Sequence, residues 1–231
     1  MDRPPANALN RELVEQLLAA LESTRQDGAQ AIILTGRPGM FSGGLDVPEL
    51  LGQDRRQIEA FWGLFFALTR QLAASPVPVL AAISGHAPAG GAVLAIQCDY
   101  RIGVTGKFRI GLNEVQVGLP VPSTVLLALE ELVGPRIARR MATRGELVSM
   151  DEAVAIGLVD ELVAPEQLLP TALARANELL ALPPVAMNTT RLATKARLID
   201  ALTSPGDVAA AAAWWFSPET QAEMRDRKSV V

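Results

Sequence analysis

Cysteine and histidine are almost absent from the 231 residues, with Cys98 and His86 each standing alone. One cysteine excludes an internal disulfide, and the two together cannot supply a zinc site of the usual Cys/His kind. A histidine-based triad would rest on a single candidate. Aromatic residues make up only 4%. No run of 18 residues is both apolar and free of charge, so no membrane-spanning helix is expected. The chain opens without a basic stretch followed by an apolar one, which reads as neither secreted nor membrane-bound and points to a reducing, cytoplasmic setting. Positive charge is not in excess either. A net charge of -4 leaves no broad basic face for nucleic acid.

What is present is globular in character: 49% apolar and 20% charged residues, a balance unlike that of disordered chains. The length fits one large domain or a core with an appendage. A chain of this size buries about 70% of its unfolded surface, so it needs neither disulfide nor metal to fold.

The first clear element follows Asn10, where Leu13, Val14, Leu17, Leu18 and Leu21 recur at helical spacing with Asn10 as N-cap and Glu12 in the first turn. Ala31 to Thr35 predicts a short buried strand, followed by a glycine-rich loop from Gly36 to Gly44. A second helix carries Phe61, Phe65, Leu68 and Leu72 on one face and stops before Ser75-Pro76-Val77-Pro78. Val79 to Ile83 is another buried strand, leading into a second glycine loop, Gly85 to Gly91, and a short helix. Tyr100–Val104 and Phe108–Ile110 complete the strands. This alternation to about residue 160 predicts an α/β core. From Gln167 the pattern is helical, broken at Pro183-Pro184 and at Pro205-Gly206, and Ala209 to Ala213 is plain helix. The expected division is residues 1–182 and 183–231.

Two glycine loops each follow a strand: Phe41-Ser42-Gly43-Gly44-Leu45-Asp46 and Ala87-Pro88-Ala89-Gly90-Gly91. Glycine lets a ligand approach backbone N–H groups, and a helix starting just beyond presents free donors and a positive dipole end. Such loops hold an oxyanion, or they are merely tight strand-to-helix turns. Neither matches a dinucleotide or P-loop spacing, and neither Ser42 nor Ser84 sits in G-x-S-x-G. Glu114, in the largely apolar Ile110-Gly111-Leu112-Asn113-Glu114-Val115, is either a desolvated base or the partner of an arginine such as Arg101 or Arg109. His86 reads as a hydrogen-bonded loop residue and Cys98 as an inert buried thiol. Trp214-Trp215-Phe216 reads as helix packing.

Taken together these residues resemble the enoyl-CoA hydratase/isomerase (crotonase) superfamily, and within it the mitochondrial-type Δ3,Δ2-enoyl-CoA isomerases. The resemblance spans essentially the whole chain. It rests on Ala6-Asn7-Ala8-Leu9-Asn10, Phe41 to Asp46, Pro88-Ala89-Gly90-Gly91, Cys98-Asp99-Tyr100-Arg101-Ile102 and Ile110 to Glu114, with a weaker echo in Ala153 to Val163.

The resemblance implies an α/β spiral of ββα units carrying an acyl-CoA site, with a C-terminal helical region that builds a homotrimer or a dimer of trimers. Its oxyanion hole falls on the N–H groups of Leu45 and Gly90. Ser42, Gly43, Gly44, Asp46, Val93 and Asn113 are carried over as substrate-binding positions. Of the two hydratase glutamates, the later falls on Glu114 and the earlier on Val93, which leaves the one-glutamate arrangement of an isomerase. Coenzyme A enters as part of the substrate, with no bound cofactor or metal, no nucleic acid and no membrane. Val93, Val117 and Leu119 would keep water from the reacting carbons. The rival readings are a hydratase taking its second acid from Glu130 or Glu131, and a silent trimer that binds acyl-CoA or a protein. Two departures stand out. Relatives usually carry some fifteen earlier residues in opening strands, so either the start was assigned late or the spiral has lost its first hairpin. The Tyr100–Glu114 interval is one residue off, with the slack assigned to Gly106-Lys107.

Overall fold

A computed structural model describes residues 1–203 and 206–228. Helix α1 (Arg11–Gln26) begins where expected, with the Asn10 side chain accepting the N–H of Leu13. It leads to β1 (Ile32–Thr35), β2 (Gly39–Met40) and the short α2 (Val47–Leu50). The long α3 (Arg55–Ala73) starts at a reciprocal Asp54–Gln57 capping box and buries Phe61, Phe65, Leu68 and Leu72 together. Then come β3 (Val79–Ile83), β4 (Gly85–Pro88), α4 (Gly90–Gln97), β5 (Tyr100–Val104) and β6 (Arg109–Gly111). A 3₁₀ turn (Glu114–Val117) precedes α5 (Ser123–Arg144), which is broken at Gly134-Pro135. The remainder is β7 (Val148–Ser149), α6 (Met150–Ala155), β8 (Glu161–Val163), α7 (Leu168–Leu180), α8 (Pro184–Thr194), α9 (Ala196–Ala201), α10 (Gly206–Trp215) and α11 (Pro218–Lys228).

Each strand pair sends one member to each of two four-stranded sheets, in the orders β1-β3-β5-β8 and β2-β4-β6-β7. The first sheet is parallel throughout, and in the second only β6–β7 is antiparallel. This is the expected spiral. Its first sheet is covered on both faces, so β3 is buried along its whole length. Val79, Ala81 and Ile83 face the main core with α1, α3 and α4, whereas Leu80 and Ala82 face α7 through Leu168, Ala172 and Ala176.

Two strand expectations need correction. The segment from Ala31 is not a fully buried strand: β1 starts at Ile32, forms the edge of its sheet, and buries only Leu34. An edge strand has one neighbour, so hydrophobicity alone overstated its burial. Here the Met1 ammonium donates to the Thr35 carbonyl. The Phe108–Ile110 strand is displaced by one residue to Arg109–Gly111, because the Phe108 ring folds against His86 and Gly106.

The helices after Pro183 share the main core with the α/β body. Leu198, Leu202, Ala211, Ala212, Trp215 and Met224 belong to the same buried cluster as the α3 stripe. The Pro183-Pro184 break falls between α7 and α8 as expected, and Pro205 lies outside the described residues. The aromatic triplet divides its roles. Trp215 is buried edge-on to Trp62, Phe216 lies under the Arg55 guanidinium, and Trp214 is 49% exposed.

Trp215→Ala should cost about 3–5 kcal/mol through the void it leaves. Thermal unfolding followed by circular dichroism should show a midpoint at least about 6 °C lower in a single transition. A change under about 2 °C would mean that α10 contributes nothing to the core.

Candidate active site

The two glycine loops meet. The Asn7 side chain donates to the carbonyls of Met40 and Phe41, and the Ser42 hydroxyl donates to the Asn7 carbonyl, so the first loop is held from Ala6-Asn7-Ala8. Leu9 then bridges Leu45 in parallel: Leu9 N–H donates to Gly44 O, and Asp46 N–H donates to Leu9 O. In such a pair the partner's own N–H points away from the bridge.

The second loop supplies its donor through a strained turn. Ala89 takes φ 45° and ψ -119°, a left-handed conformation that costs a non-glycine residue on the order of 1–3 kcal/mol. The Ala89 N–H is anchored on the Gly111 carbonyl at 2.8 Å. Gly90 follows as the first residue of α4, where the helix leaves its N–H without an intrahelical acceptor. The space is tight: a Cβ there would lie 2.9 Å from Leu9 Cδ1 and 3.3 Å from Gly44 Cα. Among the described residues neither the Leu45 nor the Gly90 N–H donates to a backbone carbonyl.

Both residues line one apolar cavity of about 110 Å³. Trp62 and Phe65 of α3, Val93 of α4, Val125 of α5 and Ala211 of α10 form its apolar wall, and Asn113, Glu114, Val117 and Leu119 close it from the 3₁₀ turn. Glu114 is the one carboxylate among the described residues that line it. The residue as a whole is half-buried, yet Oε2 is sealed from solvent and has no hydrogen-bond partner. Burial pushes its carboxyl up to about 7, opposed only by its own backbone N–H. The arginine alternative fails on geometry, since Arg101 pairs with Asp160 at 2.7 Å and Arg109 donates to the Leu147 carbonyl.

The structure brings Leu45, Gly90, Val93, Asn113 and Glu114 together. Gly106 and Lys107 lie in the turn between β5 and β6, and Glu114 lines the cavity. Ser42, Gly43, Gly44 and Asp46 are not in the cavity wall. Ser42 and Gly43 hold the loop to Asn7 and Ala6, Gly44 packs against Gly90, and Asp46 caps α2 and pairs with Arg3. Their short polar or glycine character serves the loop's shape. Glu130 and Glu131 are exposed on α5 and line no part of this cavity. His86 accepts the Arg109 N–H, and the Cys98 thiol is pushed up to about 12 by burial, as their inert readings required. The sequence did not point to Trp62, Phe65, Val125 or Ala211 as wall residues, because helical stripes of this kind read equally well as core. No group of three or more potential ligands for a metal ion occurs among the described residues.

The family model for enoyl-CoA hydratase/isomerase matches residues 1–225. Human mitochondrial enoyl-CoA delta isomerase 1 is 37% identical over 203 residues, covering 85% of this chain and 67% of that protein. The rat and mouse counterparts are covered over 58% and 63% of their lengths. The probable enoyl-CoA hydratase EchA17 of Mycobacterium tuberculosis is 34% identical over 188 residues, covering 81% of this chain and 72% of that one. Among solved structures, human mitochondrial delta3-delta2-enoyl-CoA isomerase superposes with a TM-score of 0.95 at 32% identity, covering 99% of this chain and 90% of that one. Enoyl-CoA hydratase EchA3 of Mycobacterium ulcerans gives 0.86 at 27% identity, covering 93% of each. With the matched model spanning nearly the whole length, and the loops and glutamate meeting at one cavity, the chain belongs to the enoyl-CoA hydratase/isomerase family.

Proposed function

We propose that the protein moves the double bond of a 3-enoyl-CoA to the 2-trans position, with Glu114 as its single base, in the degradation of fatty acids. The observation that carries this reading is that Glu114, with Oε2 sealed, is the one carboxylate among the described residues lining the cavity, beside Leu45, Gly90 and Val93, the last being the position to which the family resemblance assigns a hydratase's second acid. Glu114 takes a proton from C2 and returns it at C4. Such a proton is far less acidic than any carboxylic acid, so the base needs the dienolate oxygen stabilised by Leu45 and Gly90. Losing one donor of that kind costs about 2.7–4 kcal/mol. A carboxyl near 7 is also a stronger base than an ordinary glutamate, and a positioned general base as such contributes about 10²–10⁴-fold. Proton removal and return on one face need no activated water, and Val93, Val117 and Leu119 keep water away. The reaction uses no cofactor beyond the coenzyme A of its substrate.

Hydration is the competing reaction, favoured by the likeness to proteins named hydratases. It needs a second acid, and the candidates stand elsewhere: the Glu131 carboxyl feels Arg197 and Lys195, away from the cavity wall. A silent binding trimer would leave the sealed carboxylate without a use. We extend the proposal to a homotrimer or a dimer of trimers in the cytoplasm. Leu169, Leu173, Leu182 and Val185 support it, since they are 49–78% exposed on and beside α7 and α8 and are large apolar groups that an interface would cover.

Purified protein assayed with 3-cis- and 3-trans-enoyl-CoA beside crotonyl-CoA should isomerise faster than it hydrates, and the reverse order would overturn the assignment. Glu114→Gln should cut isomerisation at least about a hundredfold. In the unmodified enzyme kcat/KM should rise with pH and level off above a pKa near 7, as the base loses its proton.

The same substitution makes a stability prediction. Below the unfolded pKa of 4.5 both states are protonated and the carboxyl costs nothing. As pH rises towards 7 the unfolded chain ionises first, and the folded state loses up to about 3 kcal/mol relative to it. Glu114→Gln should therefore raise the thermal midpoint at pH 8 by about 6 °C and leave it unchanged at pH 4. Equal midpoints at pH 8 would show that the carboxyl is solvated. Light scattering should give a multiple of 24.6 kDa, and a monomer at micromolar concentration would count against the trimer.

A further inference from the structure

Glu114 stands at the start of a single 3₁₀ turn, and a lone turn of this kind holds its shape poorly without tertiary support. The turn's backbone bonds include Gln116 N–H to Asn113 O, Gly118 N–H to Val115 O and Leu119 N–H to Glu114 O, at 3.0–3.2 Å. Support comes from two sides. On one, the Gln116 side chain donates to the Gly145 carbonyl just beyond α5 at 2.8 Å. On the other lies the start of α11, a hundred residues away in sequence. The Thr220 hydroxyl donates to the Gly118 carbonyl at 2.5 Å and accepts the Ser217 hydroxyl at 2.9 Å.

The fit at Gly118 is tight. Gly118 ends the turn at φ +72°, and a Cβ there would lie 3.0 Å from Thr220 Cα and 3.3 Å from Thr220 N. Thr220 is fully buried, although its helix is otherwise strongly polar. A hydroxyl buried this completely and spent on the carbonyl that terminates the Glu114 turn suits more than attachment of α11.

We infer that Thr220 is a positioning residue for Glu114: its hydroxyl pins the Gly118 carbonyl and so fixes how far the carboxylate stands from the Leu45 and Gly90 donors. This rests on the isomerase reading, in which one carboxylate must serve two carbons of the same substrate. The tolerance for displacement there is small, and a shift of about 1 Å costs on the order of a hundredfold in rate. No charged neighbour sets the ionisation of Glu114, which follows burial and its own N–H. Loosening the turn admits water to Oε2 and lowers that pKa.

The test compares Thr220→Val, which keeps the shape and removes the hydroxyl, with Thr220→Ser, which keeps the hydroxyl, in the full-length protein. Thr220→Val should lower kcat for 3-enoyl-CoA isomerisation about ten- to a hundredfold with KM within about threefold, and Thr220→Ser should recover most of the loss. The Glu114 titration, followed by carboxyl-carbon NMR with Glu114→Gln as the assignment control, should move below 7 in Thr220→Val. Ser217→Ala, which leaves Thr220 in place but removes its donor, should shift both readouts less and in the same direction. A lower thermal midpoint with kcat and the Glu114 titration unchanged would reduce Thr220 to an anchor for α11 and overturn the inference. If the unmodified enzyme does not isomerise but the titration still moves in Thr220→Val, the positioning role stands and the isomerase reading falls.

Discussion

A carboxylate oxygen, Glu114 Oε2, sealed from water without a hydrogen-bond partner is the constraint on which the rest of this structure depends. Glu114 has neither a cation nor a donor side chain to offset its burial, only its own N–H. A group in that state is a reservoir of basicity and a liability to the fold at the same time. The surrounding packing must therefore be secure enough to hold it. The wall formed by Trp62, Phe65, Val93, Val125 and Ala211 supplies that packing from four helices.

Those helices are fastened to one another at the rim of the cavity. The Asp207 carboxylate at the start of α10 accepts the N–H and hydroxyl groups of both Ser123 and Thr124 at the start of α5. These bonds hold its carboxyl below the usual range in spite of partial burial. Trp215 closes on Trp62 about two turns further along α10. A second fastening lies at Asp99, which accepts the Val79 N–H and pairs with Arg191 and Lys195, fixing α8 to the start of β3. Residues of the Cys98–Ile102 motif thus act as anchors: Arg101 holds the Cys98 carbonyl and Asp160, and takes no part in the site.

The two loops that carry Leu45 and Gly90, the proposed oxyanion donors, depend on a different kind of constraint, which is space. Gly44 and Gly90 touch because neither carries a side chain, and a Cβ on Gly91 would lie 2.5 Å from the Ser42 carbonyl. Backbone that approaches so closely puts Leu45 and Gly90 on the wall of one cavity. The strained Ala89 turn is tolerated because Ala89 N–H and Val93 N–H secure it on both sides, to Gly111 O and from Val93 to Ala89 O.

Much of this was legible in the residues themselves. Periodicity placed the α1 and α3 stripes and the β3 run, because a side chain's inward direction repeats with its own element's geometry. The motifs that carry the family resemblance pointed to Leu45, Gly90 and Glu114, and the three line one cavity. The sequence also made Glu114 ambiguous, with Arg101 and Arg109 nearby in number. Only the tertiary structure could remove that ambiguity, by turning both arginines to other partners. It alone decided that β1 is an edge strand, that α10 closes the cavity, and that Thr220 meets Gly118 across 102 residues. Local chemistry is carried by neighbours in the chain. Desolvation and positioning are set by which distant segments fold against a group, and no short stretch of sequence contains that.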